Sequence, residues 1–172
     1  MVDDIDFNKS VKSIKIKWKD SDFIGHYALP IPLIGAVIVL ILDAKYYQSH
    51  NYQIGMAVTI GLLYLIIDVI YQNDKLIKVP FYGNVTELRK SLKEKIEQDG
   101  WILYRNNAHY ITADKQGKWL AGSKMAILFD KGVVFINVQN LEGFRGYFPF
   151  SFGRNKRIRE EFIKSIGSYK VS

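Results

Sequence analysis

Few groups in this sequence can make or break a covalent bond. Its 172 residues include no cysteine, which excludes thiolate nucleophiles, thiolate metal ligands and disulfides. His26, His50 and His109 fall at the edge of an apolar run, in a polar loop and in a strand-like stretch. That distribution does not build a metal site. No G-x-S-x-G elbow is present. Gly117 to Lys124 comes near a phosphate-binding loop, but it ends Ser123-Lys124 where Lys-Ser or Lys-Thr is needed. A strand follows it, whereas the loop needs a helix N-terminus facing the phosphate. No catalytic residue, metal or cofactor is expected.

Binding is better represented than catalysis. Arg154, Lys156, Arg157 and Arg159 open a helix, the end where the dipole disfavours each cation by about 0.3 kcal/mol or more. Stability alone favours Asp or Glu in that turn, and the backbone N–H groups there suit an anion. Two readings follow: a solvated basic face partly offset by Glu160 and Glu161, or a seat for lipid phosphate or an acidic protein surface. Asp68 is the other suspect, because it lies in the apolar run Ile54 to Tyr71, where an isolated carboxylate is costly. It is either an interfacial residue near the end of that run or a group on an ion path.

The elements that carry these residues begin with two apolar runs. Tyr27 to Leu42 has no charge and, extended back to Phe23, gains only His26; Ile54 to Tyr71 has Asp68 alone. About 20 apolar residues cross roughly 30 Å of hydrocarbon. A two-helix transmembrane hairpin is therefore expected over residues 23–72, with Pro30 and Pro32 at its start and Gly55, Thr59 and Gly61 as small packing positions. The net charge of +7 is unevenly placed. Residues 1–22 sum to zero, residues 23–71 to −1, and residues 72–172 to +8. Lysines flank the runs on both outer sides, and the connecting loop holds only Lys45, so the positive-inside rule puts both termini in the cytoplasm. Tyr46, Tyr47 and Tyr52 suit the outer interface; Lys15, Lys17, Trp18 and Lys19 suit the inner one. Asp3, Asp4 and Asp6 precede any lysine, so no cleaved signal peptide is expected.

Residues 1–22 read as a cytoplasmic tail. Within it Ile14, Ile16 and Trp18 alternate with Lys15, Lys17 and Lys19. The alternation fits a segment lying at the headgroups, or a strand pairing with a sheet edge. Residues 73–83 read as a linker, and residues 84–172 as a soluble domain. Asn84 and Glu87 suggest a capping box, and Val85, Leu88, Leu92 and Ile96 share one helical face closed by Gly100. Strands are expected over Trp101–Arg105, His109–Asp114, Met125–Asp130 and Val133–Val138, with turns at Asn106-Asn107 and Lys131-Gly132. Tyr147–Phe152, within an aromatic-rich stretch, is a candidate last strand. A helix over Asn155–Tyr169 closes the chain.

The order helix, Gly100-Trp101, strands, Gly122-Ser123-Lys124 before Met125-Ala126-Ile127-Leu128, then Phe152-Gly153-Arg154-Asn155-Lys156 opening a helix, resembles a small α-β-β-β-β-α domain of uncharacterised bacterial proteins. The resemblance covers about residues 84–169. It departs where that domain often has Trp-Gly-Glu before the third strand, and where a second Asn follows in the last helix. It implies a fold and no activity. The fold class expected is α+β: a transmembrane hairpin followed by a cytoplasmic antiparallel sheet of four to five strands, flanked by an N-terminal and a C-terminal helix. The expected role is a non-enzymatic accessory or scaffold subunit of a bacterial inner-membrane complex. Its partners would be membrane lipids, anionic ones included, and other membrane subunits or a second copy. Nucleic acid is disfavoured, since no nucleic-acid module is visible. The alternative is a small oligomeric channel or transporter component using Asp68.

Overall fold

The longest paired strands, β4 (Ser123–Asp130) and β5 (Val133–Asn140), form the middle of the sheet. They are joined by Lys131-Gly132, with φ angles of 33° and 81°. Two consecutive left-handed residues make a type I′ turn, whose twist matches that of the strands it joins, and glycine takes the second place without strain. β3 (Tyr110–Lys115) pairs with β4, β2 (Ile102–Asn106) with β3, and β1 (Ile77–Pro80) with β5. The order is β1-β5-β4-β3-β2, antiparallel throughout. The computed structural model describes residues 4–18, 30–44, 50–117, 122–141, 151 and 153–169.

One face of the sheet is covered by two helices. α4 (Val85–Gln98) starts at Asn84, whose side chain accepts from the Thr86 N–H at 2.9 Å. Its apolar stripe, Leu88, Leu92 and Ile96, meets Met125, Ile127, Ile136 and Val138 of the sheet and Phe162 and Ile166 of α5 (Arg154–Ser168). Each large apolar side chain fully buried here stabilises by roughly 1.5–3 kcal/mol.

The other face is covered by the N-terminal segment. Asp6 caps α1 (Phe7–Ser13) by accepting from the Lys9 N–H, and Ile5 pairs with Trp18, closing residues 5–18 into a compact loop. Ile5 and Ile16 then bury beside Leu76 against Tyr110, Ala126, Leu128 and Phe135. This corrects two sequence expectations. Residues 4–18 are not a tail: without them Leu128 and Phe135 would face water. Residues 77–80 are not linker but an edge strand, where Pro80 is tolerated. Among the described residues β1 makes the sheet five-stranded; the candidate strand Tyr147–Phe152 lies outside the described residues except for Ser151.

The chain divides into two compact units, Met1–Ser21 with Asn73–Ser172, and Asp22–Gln72. The unit that holds the sheet is thus discontinuous in sequence. In the second unit, α2 (Pro30–Ala44) has 15 residues and α3 (His50–Asn73) has 24. Among the described residues, one helix is long and apolar enough to cross a membrane, so the expected two-span hairpin is shown only in part: its stretch Gln53–Asn73 has mean hydropathy 2.1 and none of it is buried. α2 falls short of the length because only 15 of its residues are helical among those described.

Candidate functional site

The basic opening of α5 separates into two parts. Arg154 turns inward, its Nη2 donating to Gly122 O and to Asn140 Oδ1, both at 3.0 Å. Asn155 is buried, donates from Nδ2 to the same Asn140 Oδ1 at 3.0 Å, and accepts from Ser123 Oγ at 3.3 Å. Gly122 itself must be glycine because it passes close to the end of β3: a Cβ there would lie 2.6 Å from Lys115 O. The run Gly153-Arg154-Asn155 is therefore a fastening that holds α5 to the start of β4 and the end of β5. The anion seat expected at Arg154 gives way to this role, because two carbonyl-type oxygens already occupy its guanidinium. Lys156 and Arg157 remain exposed and Arg159 half-exposed; Lys156 lies 3.9 Å from Glu160.

The inner-interface residues are placed by backbone pairing. Lys15 is the antiparallel partner of Lys75, flanked by Ile16 N–H to Asp74 O (2.8 Å) and Leu76 N–H to Ile14 O (3.0 Å). Lys17 has its N–H on Ser10 Oγ at 2.8 Å, and its carbonyl accepts from the Asp6 N–H at 2.8 Å. Trp18 is half-buried with Lys124 Nζ 3.9 Å from its ring centroid, so its indole face serves the fold. Lys19, Tyr46 and Tyr47 lie outside the described residues. Asp68 is exposed on α3, one turn from exposed Tyr64 and Tyr71.

Sequence reasoning missed Asn137. Its fully buried Nδ2 donates to Asn73 O at 2.6 Å and to Lys75 O at 3.0 Å, pinning residues 73–75 to the middle of β5. The available signal was an amide inside the apolar run Val133–Val138. Tyr110 was missed too: its hydroxyl donates to the Asp4 carboxylate, and its pKa is raised above 10.0, mainly by burial and secondly by that carboxylate.

A cleft of about 350 Å³ between α4 and α5 is lined by Lys95, Trp101, Lys115, Phe162 and Lys164. The chain's own lysines already cover its aromatic floor, Lys95 at 5.5 Å from the Phe162 ring and Lys115 at 5.8 Å from Trp101. Lys115 also donates to Asp99 O at 2.7 Å, and Lys95 pairs with the Asp99 carboxylate at 3.1 Å. These contacts satisfy the carbonyl end of α4. Among the described residues no group of three or more His, Asp or Glu could hold a metal ion. The near-phosphate-loop runs into β4, which starts at Ser123, where a phosphate-binding loop would run into a helix; its residues 118–121 lie outside the described residues. Comparison with family models, curated proteins and solved structures finds no match. The arrangement itself carries the functional reading.

Proposed function

We propose that this protein is a non-enzymatic accessory or scaffold subunit of a bacterial inner-membrane complex. A two-span hairpin anchors it, and a basic cytoplasmic domain meets a partner protein or anionic lipid. One observation carries this reading. The segment that leads into Asp22–Gln72 and the segment that leads out of it are paired with each other, Lys15 against Lys75. An excursion that starts and ends at one point on one side of a membrane crosses it an even number of times. α3 is long and apolar enough for one crossing. The run Phe23 to Leu42, which overlaps most of α2, is the stretch available for the other.

Exposure supports the same reading. Ile31, Ile38, Val39 and Ile41 of α2 and Ile54, Val58, Leu65 and Ile67 of α3 are each about half exposed. Contiguous apolar surface of this extent marks a membrane or partner contact. On α3, Ala57 and Gly61 lie one turn apart, leading to Tyr64 and Asp68. Small residues allow close helix approach and a polar group favours a partner over lipid, so this face suits another subunit. Residues 72–172 carry +8, drawing the domain toward anionic headgroups at about 1 kcal/mol per well-placed Lys or Arg.

The absence of cysteine makes the test clean. Ser49→Cys is expected to react with a membrane-impermeant maleimide on intact cells, and Ser168→Cys only after permeabilisation. Labelling of Ser168→Cys from outside overturns the topology. Purification in mild detergent is expected to yield an assembly with other membrane proteins. A homo-oligomer whose ion flux disappears with Asp68→Asn would favour a channel instead.

A further inference from the structure

We infer that α3 pairs with α3 of a second copy of this chain, side by side and parallel, and that Tyr64 of each copy donates to Asp68 of the other. The inference rests on the membrane reading above and names a partner for the face described there. Ala57, Gly61, Tyr64 and Asp68 follow one another at steps of four, three and four residues. That is the a/d spacing of two helices wound around each other. At 3.6 residues per turn these four share one side of α3, and all are exposed. Met56, Thr59, Leu63 and Ile66 lie on roughly the opposite side and are half-buried. The chain therefore covers one side of this helix in part and leaves the side with small and polar residues open.

Two features of the open side call for a protein neighbour. Among the described residues nothing lies within 4 Å of a Cβ placed on Gly61, so no contact inside the chain requires glycine there. Glycine within a helix is destabilising, and the close approach of a second helix gives it a use. Tyr64 is 70% exposed, and neither its hydroxyl nor the Asp68 carboxylate has a hydrogen-bond or ion-pair partner among the described residues. In hydrocarbon such groups are met by groups on a neighbouring helix.

Self-complementarity selects a second copy. Copies inserted with one topology lie the same way up, so their α3 helices run parallel with equivalent residues at equal depth. A two-fold axis along the membrane normal sets Gly61 against Gly61 and places each Tyr64 about one turn from the facing Asp68. Tyr64 brings a donor and Asp68 an acceptor. The symmetry therefore makes the hydrogen bond twice and leaves neither carboxylate without a donor. A different subunit would have to supply both groups at that depth.

The full chain, purified in mild detergent and sedimented to equilibrium, gives the test. The wild type is expected to show a monomer–dimer equilibrium. Gly61→Ile blocks close approach and is expected to leave the chain monomeric. Tyr64→Phe is expected to raise the dimer dissociation constant about tenfold, the scale of two interhelical hydrogen bonds. Leu62→Ala alters a different side of α3 and is expected to leave that constant unchanged. In vesicles, oxidation is expected to cross-link Ala57→Cys copies but not Leu62→Cys copies. A wild type that stays monomeric overturns the inference, as does a dimer indifferent to either Gly61→Ile or Tyr64→Phe. So do an assembly of three or more copies and equal cross-linking at residues 57 and 62. A single copy bound to a different subunit that Gly61→Ile releases overturns it too, because the face then has another occupant. If Ser49→Cys and Ser168→Cys label as a hairpin yet the chain is monomeric, only this inference falls. If the chain fails to integrate into the membrane, both readings fall.

Discussion

Asn155 and Lys156 are neighbours in sequence with opposite duties. Asn155 is buried between Asn140 and Ser123, whereas Lys156 is exposed with only a distant Glu160. Asn155→Ala strips partners from both and is expected to cost about 1–3 kcal/mol of stability. Lys156→Ala should stay within about 0.5 kcal/mol. Denaturant unfolding of the two variants checks the contrast. From sequence, four cations at a helix start looked like one site. Nothing in residue type separates Arg154 from Arg157; only the arrival of Asn140 and the Gly122 carbonyl does. Tyr110 offers a titration of the same kind. Its raised pKa means that the folded chain keeps the phenol proton where the unfolded chain has lost it. That contribution is complete below about pH 10 and is lost as pH rises through the folded value. Tyr110→Phe is expected to flatten the fall in unfolding midpoint as pH rises above about 10, measured against the wild type.

At the level of elements, α4 and the β4–β5 turn were readable because their signals are local. Asn84 caps, Leu88, Leu92 and Ile96 recur at helical spacing, and Lys131-Gly132 supplies two left-handed residues in a row. The N-terminal cover was not readable, although one alternative for residues 11–19 had them pairing with a sheet edge. Ile16 does bury, but Ile14 turns left-handed at the end of α1 and is 37% exposed, and Trp18 gives its face to Lys124. The expected alternation breaks because the segment makes a helix and isolated bridges instead of a strand. Its partners are also remote: Asp4 and Tyr110 are 106 residues apart. β1 escaped notice for a related reason, since four residues ending in proline look like a link until β5 is beside them. Deleting residues 1–18 is expected to expose Tyr110, Leu128 and Phe135. The truncated chain should bind a hydrophobic dye such as anilinonaphthalene sulfonate and aggregate after detergent exchange; unchanged dye binding would show that the cover is dispensable.

Across the whole molecule, the two-unit division separates what composition shows from what only pairing shows. The apolar unit was visible from charge alone, and so was the basic excess after residue 72. That the sheet-bearing unit is interrupted was not visible, because no local pattern says that residues before an apolar excursion belong with residues after it. The interruption has a consequence for synthesis. Ile5, Ile16 and Trp18 leave the ribosome first, but Leu76, Tyr110, Lys124 and Phe135, which they cover, come after the excursion. The early segment must wait with its apolar side chains uncovered while the long apolar helices are made and take up their position. It closes only when β3 to β5 exist, so residues made before the excursion find their places after it, and the pairing of Lys15 with Lys75 forms once everything between them has been made.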